Sequence, residues 1–187
     1  MAQQGAEEAM TAQEVLADAI VSSRGLLERF LPGFDESNRT KQAPNLPNHV
    51  IWSLGHLAVT MLRCNDRVKG HDSPRPLPEA DWVTGTGKSG DIMRFDTESV
   101  GFKSVPVEEP SVYPSLVRGR EIFAGAIETL ASTVRNASDS ALNRQTKWGT
   151  QPIRVADMVS RMVFHNGTHT GQIVDLRRAL GFKRVLE

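Results

Sequence analysis

Four long segments with helical periodicity, separated by proline and glycine, constrain the fold of this chain more than any other feature. They cover approximately residues 11–31, 49–69, 114–136 and 154–180. In the last segment, two histidines and five apolar residues recur at steps of three and four: Met158, Met162, His165, His169, Ile173, Leu176 and Leu180. Such a stripe is typical of a helix that packs one face against neighbouring helices. The sequence shows no convincing pair of alternating strands, so we expect an all-α four-helix bundle.

The ends of these segments carry recognisable helix signals. Thr11 and Glu14 have the spacing of a capping box at the start of the first helix. Asn48 is a plausible N-cap of the second helix. Pro114 suits the first turn of the third. These residues predict where three of the four helices begin.

The connection between the second and third helices, residues 71–110, contains five prolines and four glycines. That density disfavours long helices and sustained strand pairing alike. A connection of this length more often packs over a site than extends into solvent. We therefore expect one domain over residues 1–187, with a long irregular connection and a flexible N-terminus at residues 1–10.

Charge and composition exclude several classes of partner. Lysine plus arginine equals aspartate plus glutamate, at 22 each, so net charge gives no support for binding nucleic acid or an anionic membrane. No apolar run approaches the length of a membrane span, and no signal peptide is visible. The single cysteine, Cys64, excludes an intrachain disulfide, and we interpret it as a small buried residue rather than a nucleophile. These features predict a cytoplasmic protein that binds neither nucleic acid nor a membrane.

The histidine pair of the last helix is the main candidate for chemistry. His165 and His169 lie four residues apart, so their side chains project from one helix face with Cβ atoms about 6 Å apart. Two core histidines that hydrogen-bond to facing side chains would explain the pair alone. His56, in the middle of the second helix, supplies a third imidazole, and ligands from facing helices converge inside bundles. We therefore predict His56, His165 and His169 as metal ligands.

Three neutral imidazoles suit Zn²⁺, Ni²⁺, Cu²⁺ or Fe²⁺, and we expect a divalent ion, zinc first and nickel as an alternative. On zinc, three protein ligands leave one position for water or substrate, which is the catalytic arrangement. Asn166 follows His165, so the chain lacks the glutamate of a His-Glu-x2-His metallopeptidase motif. No residue identifies itself as a general acid or base.

Several neighbouring residues have two interpretations. His49 either caps the second helix or lines the pocket rim. Arg63 suits an anionic substrate group, although a solvated surface arginine is the favoured interpretation. Gln172, one turn past His169, is a candidate for orienting a ligand or lining the pocket. Gly167 and Gly171 suggest a close contact with a neighbouring helix.

Two sequence blocks resemble the DinB-like superfamily of metalloenzymes. They are Trp52-Ser-Leu-Gly-His-Leu-Ala58 and His165-x3-His169-Thr-Gly-Gln-Ile173, followed by Leu176-Arg-Arg and Gly181. The resemblance implies a four-helix bundle in which His56, His165 and His169 bind a divalent metal in a cleft, and it implies a homodimer. Relatives often have glutamate where this chain has Asn166, which leaves any acid–base role open.

Some members of that superfamily use low-molecular-weight thiols, as transferases or thiol-dependent isomerases. Our leading hypothesis is a metal-dependent enzyme that transfers a small thiol to an electrophilic molecule. A metal-dependent hydrolase would use the same three ligands. The alternatives are a non-catalytic, stress-associated module for metal binding and dimerisation, and a bundle whose histidines bind no metal.

Overall fold

Helices dominate the computed structural model, which describes residues 9–88 and 92–185. The helices are α1 (Ala12–Glu28), α2 (Val50–Val68), α3 (Thr97–Val100), α4 (Leu116–Arg135), α5 (Asp139–Asn143) and α6 (Val155–Ala179). The four long ones, α1, α2, α4 and α6, pack against one another as the predicted four-helix bundle. The expected flexible N-terminus lies outside the described residues except for positions 9 and 10.

The capping box predicted for α1 is present. The Thr11 side chain accepts a hydrogen bond from the Glu14 amide, and the Glu14 carboxylate accepts one from the Thr11 amide. Each residue therefore satisfies a backbone donor that the first helical turn would leave unpaired.

The predicted caps of the next two long helices are wrong by one or two residues. His49, not Asn48, caps α2, because its Nδ1 accepts a hydrogen bond from the Trp52 amide at 3.2 Å. Ser115 caps α4, so that helix begins at Leu116, two residues after Pro114. The interpretation of His49 as a cap of the second helix is thus confirmed, and Asn48 precedes the cap.

The described chain also contains two small sheets, which the sequence did not indicate. β1 (Trp82–Val83) pairs in parallel with β2 (Phe95–Asp96). β3 (Gln145–Trp148) and β4 (Gln151–Arg154) form an antiparallel hairpin. Strands of two to four residues are too short to show alternation in the sequence, and β4 also contains a proline.

The 71–110 connection packs against the bundle, with α3 in contact with α2. Phe95 and Val100 are fully buried beside Gly55. A methyl group at position 55 would lie 2.6 Å from Phe95 Cε1 and 2.8 Å from Val100 Cγ1, so this close approach requires glycine. The connection is thereby fixed beside the middle of α2.

A buried arginine holds the far end of the same connection. Arg39 donates hydrogen bonds to the carbonyls of Pro110 at 3.0 Å and Pro114 at 3.1 Å. Its guanidinium also pairs with Glu36 at 3.2 Å, which balances the buried charge. No helix in the described part of the chain is long and apolar enough to cross a bilayer.

Candidate metal centre

Three imidazoles from two helices converge between α2 and α6. The ring centroids of His56, His165 and His169 lie 4.7–5.3 Å apart. One ring nitrogen from each lies within 4.8 Å of the other two. The structure therefore brings together all three histidines that the sequence predicts as ligands.

His56 is fixed in both position and tautomer. Its Nδ1 donates a hydrogen bond to the Val100 carbonyl at 2.9 Å, so Nε2 is the unprotonated nitrogen. A histidine that donates one N–H to a backbone carbonyl presents its other nitrogen as a well-oriented metal ligand. The 71–110 connection supplies that carbonyl.

The other two histidines have buried nitrogens that lack partners. Nδ1 of His165 and Nδ1 of His169 are buried and make no hydrogen bond within the described residues. Unpaired buried polar atoms are rare, and each calls for an explanation such as a ligand or an ion. Nitrogen ligands on a tetrahedral zinc lie about 3.4 Å apart, so small side-chain rotations would suffice from the observed spacing. The three residues fit a divalent metal.

Burial keeps the histidines of α6 neutral. It lowers the pKa of His165 to about 4, with a smaller contribution from His56. Burial, followed by the nearby His165 and His56, lowers the pKa of His169 to about 3. Burial also lowers the pKa of His56, and the hydrogen bond to the Val100 carbonyl, which raises the pKa, offsets only part of this shift. Neutral imidazole is the form that binds metal ions.

A polar pair links the two ligand-bearing helices next to His169. Asn48, just before α2, donates a hydrogen bond from Nδ2 to Gln172 Oε1 at 3.0 Å. Gln172 contacts His169, and this interaction partly opposes the lowering of the histidine pKa. Gln172 therefore takes the orienting position that the sequence suggested.

Asn166 faces away from the histidines. It is almost fully buried, and its Nδ2 donates a hydrogen bond to Ser23 Oγ of α1 at 2.9 Å. The same nitrogen lies 3.6 Å from Met61 Sδ. This side chain joins three helices and does not line the cavity beside the histidines.

A cavity of about 700 Å³ opens beside His56 and His165. This volume suits a small organic molecule. Its other described lining residues are Val59, Thr60, Arg63, Cys64, Arg67, Thr97, Gly101, Phe102, Lys147, Trp148, Gly149 and Met158. Arg63 thus lines the cavity, and its favoured interpretation as a solvated surface residue is wrong. The side chain retains 30% exposure at the cavity mouth.

Two further expectations have different outcomes. Cys64 is buried, as predicted, and burial raises its pKa to about 12, so it is not a nucleophile. The prediction of a close helix contact at Gly167 and Gly171 is wrong. Within the described residues, no atom lies within 4 Å of a methyl group placed at either position.

The β3–β4 hairpin contributes cavity residues that sequence reasoning missed. Trp148 lies with its ring centroid 6.4 Å from that of His165, and the Arg161 guanidinium lies 5.7 Å from the Trp148 ring. Gly149 turns the hairpin with a φ of +60°. The only sequence signal was this glycine between two short polar runs, which is weak by itself.

A four-helix bundle with three converging histidines on two of its helices defines the class of fold to which this chain belongs. The chain belongs to the DinB superfamily, whose family model matches residues 19–173. A comparison with curated protein sequences found no match.

Two solved structures share the fold. YfiT from Bacillus subtilis, described as a probable metal-dependent hydrolase with an unusual four-helix bundle topology, is 14% identical with a TM-score of 0.63. The alignment covers 96% of this chain and 94% of YfiT. A conserved protein from Enterococcus faecalis is 16% identical with a TM-score of 0.63, over 91% of this chain and 98% of that one.

Proposed function

We propose that this protein is a divalent-metal-dependent enzyme that acts on a small molecule, with His56, His165 and His169 as the metal ligands. The observation that carries the proposal is the position of the three imidazoles. They converge on one point, and two of them also line a cavity of about 700 Å³. A buried structural metal would need no such opening.

Zinc is the metal that best suits three neutral imidazoles here, with nickel as the alternative. Its contribution when bound is Lewis acidity, which lowers the pKa of a water or thiol in the open position. The chain holds the three nitrogens neutral by burial and fixes His56 through Val100. The apolar side chains of Val59, Trp148 and Met158 reduce the water content of the cavity.

Thiol transfer to an electrophile is the reaction we favour. The described residues that line the cavity include no carboxylate, which is a common general base for activating water in hydrolases. A thiol, with a pKa near 8.5, needs far less help to ionise. The protein's own thiol, Cys64, is buried and protonated, so the sulfur would come from a co-substrate. The thiol proton would pass to solvent water, the sulfur would form a bond to the electrophilic carbon, and that carbon would release its leaving group together with the electron pair of the broken bond.

Two hydroxyl groups of the cavity are restricted to accepting hydrogen bonds. Thr60 donates its hydroxyl proton to the His56 carbonyl at 2.7 Å, and Thr97 donates its own to the Val83 carbonyl at 2.9 Å. Thr97 Oγ1 also accepts a hydrogen bond from the Thr84 hydroxyl at 3.3 Å, so it keeps one lone pair for a ligand, whereas Thr60 Oγ1 keeps two. They would orient a substrate through its N–H or O–H groups.

Hydrolysis is the second candidate. The support for it is the shared fold with YfiT, which is described as a probable metal-dependent hydrolase. A non-catalytic metal-binding module remains the alternative from another class, and it would keep its metal without an exchangeable ligand. The cytoplasmic location and the homodimer stay predictions.

Elemental analysis of protein purified without a metal-affinity column tests the centre. We expect about one equivalent of zinc or nickel per chain, and its loss in His169→Ala. His71→Ala is the matched control, because His71 is exposed and outside the cluster. No metal in the wild type, even after reconstitution, would overturn the proposal.

The loaded protein should then be assayed with a panel of thiols and electrophiles, and in parallel with a panel of esters and amides. Metal-dependent thiol conjugation that is lost in His169→Ala supports the favoured reaction. Metal-dependent hydrolysis alone overturns thiol transfer in favour of the second candidate. Metal that is retained without turnover on either panel, and without an exchangeable water, indicates the binding module.

A further inference from the structure

The cavity beside the histidines has charge of a single sign. Arg63, Arg67 and Lys147 line it, and its described lining contains no aspartate or glutamate. A cleft lined by charges of one sign concentrates the electrostatic potential and attracts ligands of the opposite sign. This feature has no role in metal binding, so it requires its own explanation.

Two of these cations follow His56 along one face of α2. Thr60, Arg63 and Arg67 lie four, seven and eleven residues after the histidine, a spacing that keeps all four on one side of the helix. At 1.5 Å per residue, Arg63 lies about 10 Å and Arg67 about 16 Å along the axis from His56. Lys147 approaches from the β3–β4 hairpin.

The cations are only weakly neutralised by the protein. The shortest Arg63–Asp66 and Arg67–Asp72 distances are 3.9 and 3.8 Å, near the outer limit of an ion pair. Within the described part of the chain, the Lys147 ammonium makes no hydrogen bond or ion pair. Pairs at such distances contribute little. Arg63 Nη1 donates to the Arg75 carbonyl and Arg67 Nη1 to Thr146 Oγ1 at 3.5 Å, but both acceptors are neutral, so the two positive charges and the other guanidinium N–H groups are available to a ligand.

Apolar surface lies between the cations and the histidines. Val59 and Met158 line the cavity from α2 and α6, and Phe102 and Trp148 line it from the 71–110 connection and the hairpin. A ligand that spans the cavity would therefore contact apolar side chains along its body. One end of the ligand would lie beside the cations, and the other end would lie beside the histidines.

We propose that Arg63, Arg67 and Lys147 bind a carboxylate or phosphate group, so that the substrate is an amphipathic anion. Its apolar body would lie along α2, and its reactive end would reach the histidines. The identity of the reactive end rests on the proposed function, whereas the contact with the anion does not. Arginine suits either oxyanion because its planar fork donates two parallel hydrogen bonds.

Binding of three probes to metal-free protein tests this proposal without any contribution from a metal. The probes are 4-phenylbutanoate, 3-phenylpropyl phosphate and the neutral 4-phenylbutanamide, titrated by ligand-observed NMR. We expect at least one anion to bind about ten-fold more tightly than the amide, with a preference that weakens from 50 to 500 mM salt. The tighter of the two anions identifies the group that the site selects.

Variants identify the residues that cause the preference for the anionic probes over the amide. Arg63→Gln and Lys147→Gln should each reduce the preference for the anion several-fold, and the double variant should abolish it. Arg63→Lys, which keeps the charge, should retain most of it. Lys69→Gln is the matched control, because it removes a cation from the end of α2 that does not line the cavity.

Equal binding of the anions and the amide by the wild type would overturn the proposal. Full preference for the anion in the double variant would overturn it too. Circular dichroism and thermal melting of each variant separate these outcomes from misfolding. Because the probes are tested without metal, absence of a metal centre would leave this result intact, and absence of anion binding would leave the metal centre intact.

Discussion

The indole ring of Trp52 lies flat against the imidazole of His56, with ring centroids 4.6 Å apart and planes 8° from parallel. The indole is itself held by a hydrogen bond from Nε1 to Ser104 Oγ at 2.9 Å. His56 is thus packed on one face and fixed at Nδ1 by Val100. These two restraints orient its free nitrogen before any ligand binds.

Replacing Trp52 should therefore weaken metal binding without changing its stoichiometry. We expect Trp52→Leu to lower zinc affinity about ten-fold, because loss of a group that orients a ligand typically costs this much. Trp52→Phe keeps an aromatic face but removes the hydrogen bond to Ser104, so we expect a smaller reduction in zinc affinity than in Trp52→Leu. Competition titration against a chelator measures both affinities, and an unchanged affinity in Trp52→Leu would contradict the orienting role.

Two helical glycines should respond in opposite ways to alanine. Gly55→Ala forces a methyl group against Phe95 and Val100, so we expect a net loss of about 1–3 kcal/mol in unfolding free energy. In Gly167→Ala the added methyl group lies in open space, so the higher helix propensity of alanine should raise the unfolding free energy by about 1 kcal/mol. Urea denaturation measures both. Destabilisation by Gly167→Ala would indicate a contact on that face in solution.

The cap of α2 should make stability depend on pH. His49 is fully buried, donates from Nε2 to the Val107 carbonyl at 3.0 Å and accepts the Trp52 amide at Nδ1. Burial lowers its pKa from 6.5 to about 4, so protonation is favoured in the unfolded chain. The stabilisation from neutral His49 is present above pH 6.5 and is lost as the pH falls toward 4, a change of about 3 kcal/mol.

His49→Asn is the variant that tests this dependence, since asparagine can still accept the Trp52 amide but does not titrate. The difference in unfolding free energy between wild type and variant should narrow from pH 7 to pH 4. Both proteins contain the other histidines, so their contributions cancel in the comparison. A constant difference across this range would rule out His49 as the titrating group.

Asn166 should contribute to stability and not to metal binding. Its bond to Ser23 crosses from α6 to α1 in the interior, so a double-mutant cycle of Asn166→Ala and Ser23→Ala should give a coupling of about 1 kcal/mol. Metal content should remain at one equivalent in Asn166→Ala. Loss of metal in a variant that is still folded would place this residue in the metal centre after all.

The bundle and the positions of the three histidines could be predicted from the sequence because both follow from helical periodicity. The stripe from Met158 to Leu180 fixes which face of α6 is buried, and the two histidines occupy that stripe. The position of His56 within α2 follows in the same way. The spacing of Thr11 and Glu14 likewise predicts the capping box at the start of α1.

The details that shape the site could not be predicted, since they depend on tertiary contacts. Nothing local identifies Val100 as the acceptor for His56, because 44 residues separate them. Arg63 has the same local sequence context whether it lines a cavity or faces solvent. Gly55 and Gly167 are both helical glycines, and only the neighbouring segments distinguish the crowded position from the open one.

The β3–β4 hairpin forms a part of the cavity wall that lies outside the long helices of the bundle. Its two strands pair only with each other among the described strands, and it presents Lys147 and Trp148 to the cavity. The histidines lie on the bundle helices, so a substitution of Lys147 would change the charge of the cavity while the helices that carry the histidines stay in place, whereas Trp148 lies in ring contact with His165. Such a wall is evolvable, because the ten-residue segment 145–154 could vary in sequence and alter what the cavity accepts while the three histidines of the helices are inherited unchanged.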